Sequence, residues 1–394
     1  MQKNRSDFDQ HVAQASAAVE PRLIALRRDL HRHPELAFQE HRTAQFVEDA
    51  LRKLPNLTVS RPTPTSVLAV LKGQAGPGKT VLLRADMDAL PITEHTGLPF
   101  SSTVEGVSHS CGHDAHTAIL IGVARLLAAV PSLPVGVRLI FQPAEEVMPG
   151  GALDAVAAGV TEGVSRIFAL HCDPRLPVGS VGLRAGALTS AADHIELQIH
   201  SPGGHTSRPH LTGDIVYAMG TVITGLPGVL SRRVDPRSGT VMAWGAAHAG
   251  NAPNAIPQEG RLRGTVRTGD HQTWGELEPL VRSIVGELLA PLGVRYDISY
   301  FRGVPPVVNE EAAVAVLSAS VAEIGPNAVA DTPQSPGGED FSWYLEHVPG
   351  AMGRLGVWDG LGPQMDLHQP NFDLDERALE VGVRTLAGVV LDIG

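Results

Sequence analysis

Five residues of this 394-residue chain have side chains of the types that bind first-row metal ions. Thiolate, imidazole and carboxylate donors together suit zinc or a similar metal. A sixth residue, Glu145, directly precedes one of the five and is free to move protons, as a general base does in metal-assisted hydrolysis. The five candidate ligands are Cys111 and His113 in Cys-Gly-His-Asp-Ala-His, Glu146 in Gln-Pro-Ala-Glu-Glu, His171 in Ala-Leu-His, and His368 in Leu-His-Gln-Pro.

Each of these residues also has an ordinary structural interpretation. Adjacent glutamates are usually a solvated surface, and a single histidine in a chain with 17 of them is more often structural than a ligand. A Cys-x-His pair alone is a weak signal, since a zinc finger would need further close Cys or His pairs. Glu145 and Glu146, however, follow an apolar strand. Cys172, the second of two cysteines, is expected to be a small buried hydrophobic residue.

Strands and helices alternate around these candidates. This alternation favours an α/β fold with a mixed, mostly parallel sheet and flanking helices. Apolar spacings of three and four predict helices over 7–32, 43–54, 114–130, 153–158 and 311–324. Short apolar runs predict strands over 67–71, 80–84, 135–141 and 166–170.

The candidate residues lie where these strands are predicted to end. Asp86 and Asp88 follow the strand 80–84, Glu145 and Glu146 follow 135–141, and His171 closes 166–170. In open α/β sheets, sites form outside the carboxyl ends of the strands. We therefore expect the candidate ligands to meet at one edge of one sheet.

From about residue 188 to residue 302 the pattern changes. Strands are predicted over 194–200, 240–246, 260–267 and 294–300, with helices over 214–226 and 274–289. The order βαββαβ is typical of a ferredoxin-like α+β domain. Because His368 lies far beyond the other candidates, we expect 188–302 to be a domain inserted between two parts, 1–187 and 303–394, of a catalytic domain.

Composition limits the class of protein and its partners. With 43% hydrophobic and 19% charged residues, the chain is globular. A net charge of -11 and the lack of a Lys/Arg-rich run argue against nucleic acid as a partner. The longest apolar run, 118–124, is too short to span a bilayer, and the first residues lack the apolar core of a signal peptide. We expect a cytoplasmic protein with no membrane partner.

Together the motifs resemble those of the amidohydrolase (aminoacylase) branch of the two-metal zinc exopeptidase superfamily. Hippurate hydrolases, N-acyl-amino-acid amidohydrolases and indole-acetyl-amino-acid hydrolases belong to that branch. The resemblance covers nearly the whole chain. Its marks are Leu-His-Arg-His-Pro-Glu-Leu (30–36) with Glu40, Arg-Ala-Asp-Met-Asp-Ala-Leu-Pro (84–91), Cys-Gly-His-Asp-Ala-His (111–116), Gln-Pro-Ala-Glu-Glu (142–146), Gly-Gly-His (203–205) with Pro-His (209–210), Asn-Ala-Ile-Pro (254–257), Gly-Thr-Val-Arg (264–267), Gly-Glu-Asp-Phe (338–341) and Leu-His-Gln-Pro-Asn-Phe (367–372).

The resemblance implies a role for each matching residue of the catalytic domain. Cys111 would take a bridging position that other branches fill with aspartate. Glu145 would be the general base, and Asp88 the aspartate that orients a ligating histidine. Two divalent ions are implied, with zinc expected and manganese, cobalt or nickel as alternatives. The remaining ligands of the two metals would be His113, Glu146, His171 and His368.

The resemblance also implies that the inserted domain is a lid that forms a homodimer, with a tetramer as the alternative. His205 would help to hold the developing oxyanion, in related enzymes from the partner subunit. Asn254 and Arg267 would hold the carboxylate of the substrate. The chain departs from the family pattern at Thr206-Ser207-Arg208, where small apolar residues are common, so the specific substrate stays open.

The implied reaction is the hydrolysis of an N-acyl amino acid to a carboxylic acid and a free amino acid. Water activated by the metals would attack the amide carbonyl, and Glu145 would take its proton and pass it to the leaving nitrogen. A dipeptidase or carboxypeptidase of the same superfamily, which accepts unblocked peptides, is the alternative. A carrier protein without catalysis is disfavoured, because all six residues are present.

Overall fold

The structure, a computed structural model, describes residues 21–74 and 79–393. The described residues form two compact units. The second unit comprises Ala187–Val307 together with Gln334–Glu339. The first unit comprises the described residues up to Gly186, Val308–Pro333, and those from Asp340 onward. The segment Gln334–Glu339 was not predicted to be part of the inserted domain, but it belongs to the second unit.

The helices of the described residues overlap every helix predicted above, with shifts at the ends. Residues 7–20 of the predicted helix 7–32 lie outside the described part of the chain. In chain order the helices are α1 (21–32), α2 (His41–Leu51), α3 (His113–Ala128), α4 (Ala152–Ala157), α5 (Ile215–Arg233), α6 (His271–Leu289), α7 (Glu311–Ala322), α8 (Ser342–Leu345) and α9 (Ala378–Asp392).

The strands include all those predicted, and also β16 and several short strands that were not predicted. In chain order they are β1 (Leu57–Ser60), β2 (Val67–Leu71), β3 (Thr80–Asp86), β4 (Gly136–Gln142), β5 (Val164–Pro177), β6 (Val181–Leu183), β7 (Gly186–Ala187), β8 (Ala191–His200), β9 (Gly204–His205), β10 (Val241–Ala249), β11 (Ala255–Ile256), β12 (Glu259–Thr268), β13 (Arg295–Val304), β14 (Val308–Asn309), β15 (Val329–Asp331) and β16 (Gly350–Trp358).

A mixed eight-stranded sheet with the order β1-β2-β4-β3-β5-β16-β6-β15 forms the centre of the first unit. Its central strands β4, β3, β5 and β16 are parallel, whereas β1 and β2 join antiparallel at one side. The predicted fold class is thus confirmed. Helix α3 is buried almost all round, which is typical of a helix enclosed in a core.

One detail of the predicted sheet is wrong: His171 does not close its strand. Strand β5 continues to Pro177, because β16 pairs with it in parallel up to Trp358. On the other side, pairing of β5 with β3 stops at Ala169. His171 therefore still lies beyond the last residue of β5 that pairs with β3, at the carboxyl-end edge of the sheet.

The second unit has four antiparallel strands in the order β10-β12-β8-β13, with α5 and α6 contributing to one apolar core. This is the βαββαβ arrangement of ferredoxin-like domains. The two ends of the stretch 187–307 lie side by side, since the N–H of Leu188 donates to the carbonyl of Val307 at 2.8 Å.

Among the described residues, one helix, α5 (Ile215–Arg233), is long and apolar enough to cross a membrane by length and composition. Its buried side chains, however, belong to the core of the second unit, and Asp214 caps its N-terminus by accepting the N–H of Tyr217 at 3.1 Å. One face buried in a core and the other exposed is the pattern of an amphipathic helix on a domain surface.

Candidate metal centre and active site

The structure brings the five candidate ligands together at the carboxyl-end edge of the first unit's sheet. The thiol Sγ of Cys111 lies 3.5 Å from Nε2 of His171 and 3.3 Å from Nε2 of His368. The same His368 nitrogen lies 3.2 Å from Oε1 of Glu146. His113 points Nε2 toward the glutamate pair, 3.8 Å from Oε1 of Glu146 and 3.9 Å from Oε2 of Glu145.

Among the groups of these side chains that could hold a metal ion, two contain Cys111. One group is Cys111, His113 and His171, and the other is Cys111, Glu146 and His368. Within each group the ligand atoms all lie within 4.8 Å of one another. The donor set is the borderline-soft one that zinc prefers.

The burial of these side chains also fits metal ligation. The Nε2 atom of His113 is buried and has no hydrogen-bond partner among the residues that the structure describes. Burial holds the pKa of His171 well below its usual value, so its ring is neutral, as a ligand must be. Burial, together with Glu146 and Glu145, raises the pKa of the Cys111 thiol, which a bound cation would reverse.

The backbone directly before α3 packs so closely on β5 that position 112 requires glycine. Gly112 has φ +85°, a left-handed conformation that favours glycine. A Cβ atom there would lie 2.8 Å from Sγ of Cys172. Cys172 is fully buried, as expected for a small hydrophobic residue. Because Gly112 packs closely on Cys172, the backbone holds Cys111 beside His171, directly before α3.

The ring of the candidate ligand His171 is oriented by a second contact. Nδ1 of His171 donates to the carbonyl of Cys172 at 2.8 Å, which leaves the lone pair of Nε2 free for a metal. The N–H of Cys172 in turn donates to Nε2 of His116 at 2.9 Å, and Nδ1 of His116 donates to Asp86 at 2.6 Å. His116 is therefore a positioning residue, and its place three residues after His113 on α3 is the sequence signal that could have identified it.

Asp88, the predicted orienting aspartate, touches three groups of the site. Its Oδ1 accepts the N–H of Glu145 at 3.0 Å and lies 3.3 Å from Nδ1 of His113. Its Oδ2 accepts the N–H of Glu146 at 2.9 Å. One buried carboxylate thus fixes a ligand ring and the backbone of both glutamates.

A buried ion network beneath the site was not predicted. The guanidinium of Arg84 is fully buried and donates to Asp86, to Gln142 at 2.9 Å and to Asp340 at 2.7 Å. Asp340 also accepts the N–H of Ala152 at 3.0 Å. The network ties β3, β4 and the Gly-Glu-Asp-Phe segment together. It gives that motif a structural role.

A second buried cluster supports the start of α3. Asp114, next to His113, pairs with Arg27 and with Nδ1 of His31, each at 2.8 Å. Nε2 of His31 lies 3.3 Å from Glu94. Burial alone would lower the pKa of His31, but the hydrogen bonds to Asp114 and Glu94 outweigh it and raise that pKa to about 9. The cluster ties α1 and the 94–102 loop to the helix that carries His113.

The three candidate residues of the inserted unit lie in two places. His205 is in β9, which pairs with β11, so that the carbonyl of Asn254 accepts the N–H of Thr206 at 3.2 Å. Nδ1 of His205 accepts the N–H of Ser207 at 3.1 Å, and the Ser207 hydroxyl lies 2.9 Å away. An accepting Nδ1 places the proton of the neutral ring on Nε2, which can then donate to an oxyanion.

Arg267 is not brought to His205 within one chain. It is the penultimate residue of β12, and its guanidinium donates to the carbonyl of Pro336 at 2.7 Å. His205 lies beyond the opposite end of β12, which begins at Glu259. Eight residues of strand at about 3.3 Å each separate the two ends by roughly 26 Å. Such a distance exceeds the length of a small substrate.

The model of Peptidase family M20/M25/M40 matches residues 82–392 of this chain. The chain belongs to this family. The resemblance drawn from the motifs is thereby confirmed. Membership of a peptidase family, with relatives named as deacetylases and amidohydrolases, makes the protein a hydrolase of amide bonds.

Individual relatives in the family agree with this assignment over the full chain. A Bacillus subtilis protein named N-acetylcysteine deacetylase is 39% identical over 383 residues, which are 96% of this chain and 99% of the relative. The solved structure of the Bacillus subtilis YXEP protein, described as a dinuclear metal binding peptidase from the M20 family, has a TM-score of 0.83 at 36% identity, covering 95% of this chain and 98% of that one.

A third relative differs in length. A Rhodococcus jostii protein with the name "Putative glutamate–cysteine ligase 2-3" is 52% identical over 373 residues, which are 94% of this chain. Those residues are only 46% of the relative, so the chain spans about half of that protein's length.

Proposed function

We propose that the protein hydrolyses the amide bond of N-acyl amino acids and releases a carboxylic acid and a free amino acid. The observation that carries the proposal is the convergence of thiol, imidazole and carboxylate groups on Glu145 at one sheet edge. Relatives named N-acetylcysteine deacetylase and N-acyl-L-amino acid amidohydrolase support the substrate class.

The donor groups of Cys111, His113, Glu146, His171 and His368 would hold two divalent ions. Zinc suits the mixture of thiolate, imidazole and carboxylate best, and manganese, cobalt and nickel are the alternatives. The neighbouring structure described as a dinuclear metal binding peptidase supports two ions. When bound, such ions polarise the substrate carbonyl and acidify a water molecule.

Within this site Glu145 acts as general base and then as general acid. Its carboxylate takes a proton from the attacking water and returns it to the leaving nitrogen. Asp88 holds the N–H groups of Glu145 and Glu146, so one glutamate is directed to proton transfer and its neighbour to ligation. The buried position of Glu145, only 8% exposed, keeps bulk water from competing.

The inserted unit supplies the substrate contacts, and their placement favours a homodimer. Nε2–H of His205 donates to the developing oxyanion, while Arg267 and Asn254 hold the substrate carboxylate. His205 and Asn254 lie beyond the start of β12, whereas Arg267 lies near its end, roughly 26 Å along the strand. A site that uses all three therefore takes Arg267 from one subunit and His205 and Asn254 from the other. We therefore propose a homodimer through the lid, with a tetramer as a further assembly of it, in the cytoplasm.

A hydrolysis screen tests the reaction. The metal-stripped protein is reloaded separately with zinc, manganese and cobalt and offered N-acetyl, N-benzoyl and long-chain N-acyl amino acids, with N-acetyl-L-cysteine included. Unblocked dipeptides serve as the comparison. Release of amino acid from the acylated set, lost on chelation, supports the proposal. Cleavage of unblocked dipeptides alone would instead favour the dipeptidase or carboxypeptidase alternative.

Mixing two inactive variants tests the shared site. Glu145→Gln lacks the base and His205→Ala lacks the oxyanion donor, so each homodimer is inactive. If His205 serves the partner's site, randomly mixed dimers contain intact sites and the mixture recovers roughly a quarter of the wild-type activity. A mixture that stays inactive, while native mass spectrometry shows mixed dimers, would place His205 in the site of its own subunit.

A further inference from the structure

Glu40 is a buried carboxylate that the mechanism above does not use. It is 0% exposed, although an unpaired carboxylate is costly to bury. Its Oε1 accepts two backbone N–H groups, from Phe38 at 3.0 Å and from Ala144 at 2.8 Å. Phe38 is two residues away in sequence, whereas Ala144 is on the loop after β4. Glu40 therefore links the α1–α2 connection to the loop that carries the catalytic glutamates.

Helix capping does not explain Glu40, even though it directly precedes α2. Its side chain makes no hydrogen bond to the first turn of that helix. The first turn is capped by another residue, since the carboxylate of Glu35 accepts the N–H groups of Arg42 at 3.0 Å and Thr43 at 2.8 Å. The two glutamates of the segment 30–40 thus have separate tasks. Glu35 caps the start of α2, and Glu40 reaches Ala144.

Ala144 has a backbone conformation that an alanine seldom adopts. Its φ is +58°, in the left-handed region, which costs an L-residue about 1–2 kcal/mol. Non-glycine residues keep such a conformation only where their surroundings hold it, and they cluster at functional sites. Here the N–H is held by Glu40, and the carbonyl accepts the N–H of Gly151 at 3.0 Å.

The left-handed turn at Ala144 decides where the next two residues point. Three successive N–H groups, of Ala144, Glu145 and Glu146, donate to two carboxylates. Ala144 donates to Glu40, and the other two donate to Asp88. Successive N–H groups that converge on anions in this way form a recognised anion-binding backbone arrangement.

We propose that Glu40 is a positioning residue of the active site: its carboxylate holds Ala144 in the left-handed conformation and so directs Glu145 and Glu146 into the metal centre. The inference rests on the proposed function for the roles of those two glutamates. Burial, reinforced by nearby Asp88, raises the pKa of Glu40 to about 7, although its backbone N–H bonds oppose the shift. The protein therefore keeps an unfavourable buried acid at this position.

A double-mutant cycle between Glu40 and Ala144 tests the proposal. Glu40→Ala removes the acceptor, and Glu40→Gln keeps one oxygen that can accept the same N–H groups. Ala144→Gly removes the strain that Glu40 offsets, because glycine adopts positive φ freely. Zinc affinity is measured by competition with a chelator, beside kcat and KM on an N-acyl amino acid. Glu162→Ala, at an exposed carboxylate of the same unit, is the matched control.

We expect Glu40→Ala to weaken zinc binding and lower kcat by about 10- to 100-fold, as removal of a residue behind a metal ligand typically does. KM should change much less, and Glu40→Gln should retain more of both quantities than Glu40→Ala. Ala144→Gly should restore a large part of the loss in the Glu40→Ala background. Glu162→Ala should leave zinc affinity and kcat at wild-type values.

Independent effects of the two substitutions, with no restoration by Ala144→Gly, would overturn the proposal. So would a Glu40→Gln variant as impaired as Glu40→Ala, since the acceptor oxygen would then be irrelevant. If Glu40→Ala does not fold, Glu40→Asp replaces it in the double-mutant cycle. The aspartate side chain is one methylene shorter, so its carboxylate does not reach the N–H of Ala144. Zinc affinity needs no substrate, so absence of turnover on acylated substrates would refute the proposed function and leave the cycle interpretable.

Discussion

His31 is expected to make the stability of the protein depend on pH in the alkaline range. Its ring is held between Asp114 and Glu94, at 2.8 and 3.3 Å, and its pKa is raised from 6.5 to about 9. Because the pKa is higher in the folded state, protonation of His31 stabilises the fold. That contribution is fully present below pH 6.5 and is lost as the pH rises through 9.

The magnitude follows from the pKa difference. A rise from 6.5 to about 9 corresponds to about 3 kcal/mol of unfolding free energy, at about 1.4 kcal/mol for each factor of ten. His31→Gln removes the titrating ring. The difference in unfolding free energy between wild type and His31→Gln should therefore shrink by about 3 kcal/mol between pH 6 and pH 9.5.

Urea unfolding of both proteins, saturated with zinc, across this pH range measures the difference. Zinc is kept saturating because Asp114 adjoins the candidate ligand His113. His347→Gln, at an exposed histidine of the same unit, is the control and should show no such trend. A wild-type advantage that stays constant from pH 6 to pH 9.5 would refute the assignment of a protonated His31 between two carboxylates.

Three further outcomes are expected. Glu145→Gln should lower kcat by about 10²–10⁴ with zinc content unchanged by elemental analysis, and near wild-type turnover would exclude it as the base. Arg84→Met should lower the unfolding free energy by about 3–5 kcal/mol in urea titrations, because Asp86 and Asp340 stay buried without it; an unchanged midpoint would contradict this. Ser207→Ala should lower kcat by about fivefold, because one hydrogen bond to the ring of His205 is lost. A kcat equal to that of the wild type would show that the backbone N–H of residue 207 is enough to orient His205.

The parts of the fold that could be predicted are those with a local signal. Apolar periodicity located α3 and the strands before it, and polar residues at strand ends located the site. Two central elements, β16 and α9, were missed. Strand β16 contains three glycines in Gly-Ala-Met-Gly-Arg-Leu-Gly-Val-Trp, a composition that disfavours strands. Glycine is needed at Gly356 because a Cβ atom would lie 2.1 Å from the carbonyl oxygen of Pro177.

The parts of the site that could not be predicted depend on contacts between distant segments. Nothing local in Arg84 or Asp340 shows that they pair across 256 positions of sequence. The left-handed conformation of Ala144 likewise has no local signal, since alanine disfavours it. The sequence could indicate which side chains do chemistry, but the residues that hold them in place were visible only after the strands were brought together.

The hydrogen bond between Leu188 and Val307 has a consequence for how such an enzyme can change over evolution. Because the stretch 187–307 begins and ends at one point, it can be exchanged between family members, together with Gln334–Glu339, without interrupting any strand of the first unit's eight-stranded sheet. Under the proposed function, recombination of this unit would change the substrate contacts and the subunit interface together, while the candidate metal ligands are inherited unchanged. Chimaeras joined at Ala187 and Val308 that also exchange Gln334–Glu339 would reproduce this event in the laboratory.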